Sequence, residues 1–144
     1  MVRAFLAACA VLAIALPARA ASLSLRLGGD YLANGGPGLF SLGLGVESGL
    51  GRRGVVTVGG RFGGLVTTSP TTGGVPLDVF LRFRISRAYL EAVGGPWFFF
   101  EGDTLRGHAA AGFGLLMRDI EFGAEIGFLS PDRTQLGLRL GFRL

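Results

Sequence analysis

From residue 22 to the last residue, bulky apolar side chains fall on alternate positions, and that period leaves few folds open. The terminal stretch TQLGLRLGFRL carries Leu136, Leu138, Leu140, Phe142 and Leu144 on one parity. Gly137, Arg139, Gly141 and Arg143 take the other. A repeat of two belongs to a β-strand whose faces meet different surroundings. Seven earlier segments show it. Leu23, Leu25, Leu27 and Tyr31 oppose Ser24, Arg26, Gly28 and Asp30. Phe40, Leu42, Leu44 and Val46 oppose Ser41, Gly43, Gly45 and Glu47. Val56, Val58 and Phe62 oppose Thr57, Gly59, Arg61 and Gly63. Leu77, Val79, Leu81, Phe83 and Ile85 oppose Asp78, Phe80, Arg82 and Arg84. Ala88, Leu90 and Ala92 oppose Tyr89, Glu91 and Val93 in a fifth segment, whose ladder is expected to end or bulge at Pro96. Phe113, Leu115 and Met117 oppose His108, Gly112 and Gly114, and Phe122, Ile126 and Phe128 oppose Glu121, Gly123 and Glu125.

Turn-forming residues separate the segments. The odd-numbered links span 32–37, 64–75, 102–106 and 130–134. The even-numbered ones, at 48–53, Ser86-Arg87 and Arg118-Asp119, tend to be shorter. Only the 64–75 link offers much loop surface. Helical periodicity is absent after residue 20.

Eight strands of about ten to eleven residues match what a tilted strand needs to cross a bilayer. The non-greasy face is unusual. A sheet facing water carries lysine, threonine and glutamate. Here that face is glycine with isolated charges. Glycine weakens an exposed strand, but it suits the crowded interior of a closed eight-stranded barrel, which side chains nearly fill. Closure pairs every backbone N–H and C=O, as hydrocarbon requires, and the last strand then joins the first.

The first twenty residues, MVRAFLAACAVLAIALPARA, have the form of a cleaved export signal. Arg3 gives the positive start, Leu6 to Leu16 the apolar run, and Ala18-Arg19-Ala20 the small-x-small site. The run is too short to span a bilayer as a helix. A retained anchor helix is the alternative. LAAC resembles a lipobox, but only eight residues precede Cys9. Cleavage after Ala20 leaves a single barrel domain over 21–144 with no cysteine. All 14 basic residues are arginine. Two of them, Arg3 and Arg19, fall in the leader, and the remaining 12 stand against 10 Asp and Glu. Basic residues scattered among acids are no nucleic-acid footprint.

These features together resemble the small eight-stranded outer-membrane β-barrel proteins of Gram-negative bacteria. The fold class implied is all-β, a closed antiparallel up-and-down transmembrane barrel of eight strands. The terminal strand is similar to the signal read by the barrel-assembly machinery, with Gly137, Leu140, Phe142 and Leu144 in its places. The family usually ends in an aromatic residue, whereas this chain ends in Leu144. The resemblance implies outer-membrane lipid and lipopolysaccharide as surroundings, both termini on the periplasmic side, and loops free to meet an extracellular partner. The implied role is structural: envelope integrity or surface interaction.

The inward charges are expected to lock the lumen as paired ions: Arg26, Glu47, Arg61, Arg82, Arg84, Glu121, Glu125, Arg139 and Arg143, with Asp30, Asp78, Glu91, Glu101 and His108 on the same face. With the last hairpin closing near Pro131-Asp132, Glu121 and Glu125 are expected beside Arg139 and Arg143, with Arg26 adjoining them across the seam. Tyr31, Phe40, Trp97, Phe98, Phe100 and Phe128 are assigned to an aromatic girdle at the headgroups. No metal or other cofactor is expected, because His108 is the only histidine. Lipid A 3-O-deacylases carry a His-x-Ser pair on a strand; here the stretch is His108-Ala109-Ala110, so no catalytic residue is assigned. Two alternatives remain open at this level. One is a soluble periplasmic lipocalin-like barrel with its apolar face inward. The other is a lipid-modifying barrel enzyme.

Overall fold

The computed structural model describes residues 21–33, 36–50, 54–102 and 104–144. The expected export signal lies outside the described residues. Eight strands follow one another: β1 (Ser22–Leu32), β2 (Gly38–Leu50), β3 (Val56–Thr67), β4 (Gly73–Ile85), β5 (Ala88–Phe99), β6 (Leu105–Met117), β7 (Ile120–Leu129) and β8 (Arg133–Arg143). Each pairs antiparallel with its neighbours, and β8 pairs with β1, closing the wall. Closure runs from Ser24↔Arg143 to Leu32↔Gln135, so the alternation that reaches the chain's end is the seam of the barrel.

The register fixes the shape. A path perpendicular to the strands from Ser22 passes Glu47, Gly59, Phe80, Val93, Ala110, Gly127 and Gln135. It returns to β1 at Leu32, ten residues above its start. For eight strands, that stagger sets a tilt of about 41° with ordinary strand spacing and rise. Strands of 10 to 13 residues then span about 25 to 32 Å along the axis, enough to cross a hydrocarbon layer.

Glycine makes the tight wall possible. A Cβ on Gly63 would lie 2.1 Å from the Leu42 carbonyl oxygen, and one on Gly95 would lie 1.9 Å from that of Leu77. At these points the neighbouring strand's main chain stands where a side chain would be, and only a residue without one fits there.

The apolar parity points outward. Leu138 is 71% exposed, and Leu42, Phe62, Phe113 and Phe122 also face out. The lipocalin-like alternative required this face to converge on a cavity, and it does not. Two other expectations are corrected. β5 runs unbroken through Pro96. The β4–β5 ladder skips only Leu77 and Asp78, between Val79↔Gly94 and Pro76↔Trp97, with no change of register. Proline removes one donor, and on its other side the pairing with β6 is continuous through Pro96↔Gly107. The 64–75 link also shrinks, because strand pairing extends to Thr67 and resumes at Gly73. Thr67 Oγ1 donates to the Pro70 carbonyl (2.6 Å) and accepts from the Thr72 N–H (3.1 Å), folding the connection onto itself.

Candidate functional site

The lumen gathers the polar side chains, and its floor is built around Arg82. This guanidinium has 0% of its surface exposed. β4 places it opposite Glu91 of β5. Its Nε donates to Glu91 (2.8 Å), and its Nη1 donates to Glu47 (3.2 Å) and Glu121 (2.9 Å). The Tyr89 ring covers one side of Arg82 at 4.2 Å, and Phe80 lies near both Arg82 and Arg26. Three carboxylates on one cation need further positive charge, and Arg26 supplies it at 3.6 Å from Glu121. Arg84 bonds Glu47 at the terminal mouth, with Arg143 3.6 Å from the same carboxylate.

Arg61 links this floor to a second tier. It grips Glu125 with both terminal nitrogens (2.5 and 3.2 Å) and donates through Nε to Asp78 (3.0 Å). Arg139 then bridges Glu125 (2.8 Å) to Asp30 (2.7 Å). Among the described residues, six carboxylates (Asp30, Glu47, Asp78, Glu91, Glu121, Glu125) meet six guanidiniums (Arg26, Arg61, Arg82, Arg84, Arg139, Arg143). The equality lets a buried network exist without a counter-ion.

All nine charges assigned to the lumen from sequence sit in this network. Glu125 meets Arg139 and Arg26 approaches Glu121, as expected; Glu121 also bonds Arg82, and Arg143 reaches Glu47. Long side chains in so narrow a space bond across the lumen as readily as along the wall. Glu101 is not inward. It lies exposed in the connection after β5.

Trp97 is corrected from girdle to lumen. It is 3% exposed, its Nε1 donates to Asp78 (3.0 Å), and its ring lies 4.4 Å from that of His108. His108 Nδ1 donates to the same Asp78 carboxylate (2.9 Å). Because β5 does not bulge at Pro96, the inward parity of Tyr89, Glu91 and Val93 continues to Trp97 and Phe99. These two join Leu32, Leu39, Leu65 and Leu129 in an apolar plug at the end away from the termini. The alternation itself could have found the plug, since each member continues an inward parity. The other girdle residues, Tyr31, Phe40, Phe98, Phe100 and Phe128, are exposed at that same end. Gly137, Leu140, Phe142 and Leu144 lie on or just past the closing strand, where Leu140 and Phe142 pair with Leu27 and Leu25, and the Leu144 N–H bonds the Leu23 carbonyl (2.9 Å).

No family model matches the sequence, and no curated protein sequence matches it. Solved structures do match the fold. The outer membrane protein Ail of Yersinia pestis, solved in a phospholipid bilayer nanodisc, aligns with a TM-score of 0.57 at 13% identity over 87% of this chain and 100% of that one. The chain has the fold of the eight-stranded outer-membrane barrels. The N-terminal β-barrel domain of Pseudomonas aeruginosa OprF aligns with a TM-score of 0.52 at 15% identity, over 85% and 97% of the two chains. A de novo designed barrel, TMB2.3, gives 0.63 at 14% identity, over 85% and 94%. Identities this low leave the outer-membrane-barrel fold as the shared property. The lumen described above is this chain's own.

Proposed function

We propose that the protein is an integral outer-membrane barrel with a structural role in the envelope. One observation carries the reading: a closed wall whose outward face is apolar around its whole circumference, with the charges paired inside. In water such a surface would be an aggregation site; in lipid it is the required boundary. Residues 1–20 direct export, the terminal strand with Gly137, Leu140, Phe142 and Leu144 engages the assembly machinery, and both termini stay on the periplasmic side. Outer-membrane lipid and lipopolysaccharide are the immediate surroundings.

The lumen conducts nothing. The plug seals one end, and Arg82 with its three carboxylates fills the other. A void of about 40 Å³ between Arg26, Arg61, Arg139 and the glycine wall has room for water only. The non-enzymatic reading rests on the surroundings of His108. Its neighbours Asp78 and Trp97 bury it below the plug, and the position two residues on is Ala110 rather than a nucleophile. The short connections at the plug end, 33–37, 68–72, 100–104 and 130–132, favour envelope integrity over adhesion.

A heat-modifiability gel tests the membrane reading. Protein refolded in detergent should run as a compact, fast band that shifts to full apparent mass on boiling. A protein that stays in the aqueous fraction without detergent and shows no shift contradicts it.

A further inference from the structure

The outward face is not evenly convex. Across β5 to β8 it holds a concavity of about 920 Å³. Ala88 and Ala124 form low points, and Leu90, Phe113, Phe122 and Leu138 rise around them. The register sets these heights: Ala88 lies opposite Leu115, and Ala124 lies between Phe113 and Leu138. The volume is in the range of sites that hold a whole small molecule, about 300–1,000 Å³.

The groove reaches the β4–β5 turn through Ile85 and Ala88; that turn carries Arg87, and the β6–β7 turn carries Arg118 followed by the exposed Asp119. Arg87 follows Ile85-Ser86 and precedes Ala88, while Arg118 follows Met117. The Leu116 N–H bonds the Arg87 carbonyl (2.6 Å), so the two turns are neighbours. Both arginines are exposed, and neither lies in the lumen network. Arg118 also holds a left-handed backbone, φ 51. Glycine suits that position in a two-residue hairpin. A chain with 26 glycines places arginine there instead, against its local conformational preference.

The geometry points to a phospholipid-binding site, resting on the membrane reading above: acyl chain in the groove, anionic phosphate headgroup between Arg87 and Arg118. An apolar concavity and two exposed arginines on neighbouring turns lie at the same end of the barrel, as an anionic phospholipid such as phosphatidylglycerol requires. Guanidiniums bind phosphate oxygens through two parallel N–H donors, and basic residues at a membrane surface attract anionic lipid.

Protein extracted from host membranes is transferred to phosphatidylcholine nanodiscs with or without phosphatidylglycerol, and retained lipid is weighed by native mass spectrometry. Phosphatidylglycerol should be enriched over phosphatidylcholine by about tenfold. R87Q/R118Q should abolish the enrichment. Ala124→Phe should reduce it with both arginines intact, because it fills the groove. Arg118→Gly is the decisive variant: it relieves the backbone, so its unfolding midpoint in zwitterionic detergent should hold or rise while lipid selectivity falls. Equal retention of both lipids by the unaltered protein, or enrichment unchanged in R87Q/R118Q, overturns the site. Failure to enter nanodiscs at all overturns the membrane reading instead.

Discussion

Arg82 shows how a single residue sets the lumen. With no exposed surface and three carboxylates around it, its removal leaves Glu47, Glu91 and Glu121 short of positive charge in a dry space. Arg82→Met should cost about 3–5 kcal/mol, read as a lower urea midpoint in micelles. A shift within error would mean that the carboxylates are hydrated. Glycine offers a second test at this scale. Gly63 and Gly64 are neighbours, but a Cβ on Gly63 meets main chain at 2.1 Å, and one on Gly64 meets nothing within 4 Å. Gly63→Ala should therefore destabilise by about 1–3 kcal/mol, and Gly64→Ala should be nearly silent in the same titration. Equal effects would remove the steric reason for the glycine lattice. The inward charges were legible from parity, apart from Glu101, which lies beyond the end of β5. Glu125–Arg139 on adjacent strands was legible too, but Arg61–Glu125 and Arg82–Glu47 were not, because sequence spacing orders residues along the wall and these pairs reach across the lumen.

At the scale of elements, all eight strands follow from alternation, and the errors fall where alternation was interrupted. Gly94-Gly95-Pro96 interrupts the pattern, and the run Trp97 to Phe100 is aromatic on both parities. Treating Pro96 as an end to regular pairing lost the phase and sent Trp97 outward. Leu32, Leu39 and Leu129 were missed for a related reason. They are apolar on the inward parity at strand ends, where the charged face was expected to continue. Turns carry their own prediction. Ser86 has φ 58, a conformation that costs an L-residue about 1 kcal/mol relative to glycine. Ser86→Gly should stabilise the β4–β5 hairpin by that amount, seen as a raised urea midpoint. A lowered midpoint would mean that the serine side chain contributes more than its backbone costs.

At the scale of the whole molecule, a ten-residue stagger over eight strands makes a narrow cylinder, and its contents decide what it can do. On the proposed sealed lumen, closed by the apolar plug and the paired charges, planar bilayers containing the protein should show no steps of conductance above background. Regular open-channel steps would contradict the sealed lumen. The more basic claim is the direction of the apolar face, and the chain's single tryptophan makes it measurable. Trp97 fluorescence is compared with that of a Trp97→Phe protein carrying Leu138→Trp, both in bilayers of lipid brominated along the acyl chains. The account predicts strong quenching at position 138 and little at Trp97. Quenching of Trp97, with position 138 untouched, would contradict it.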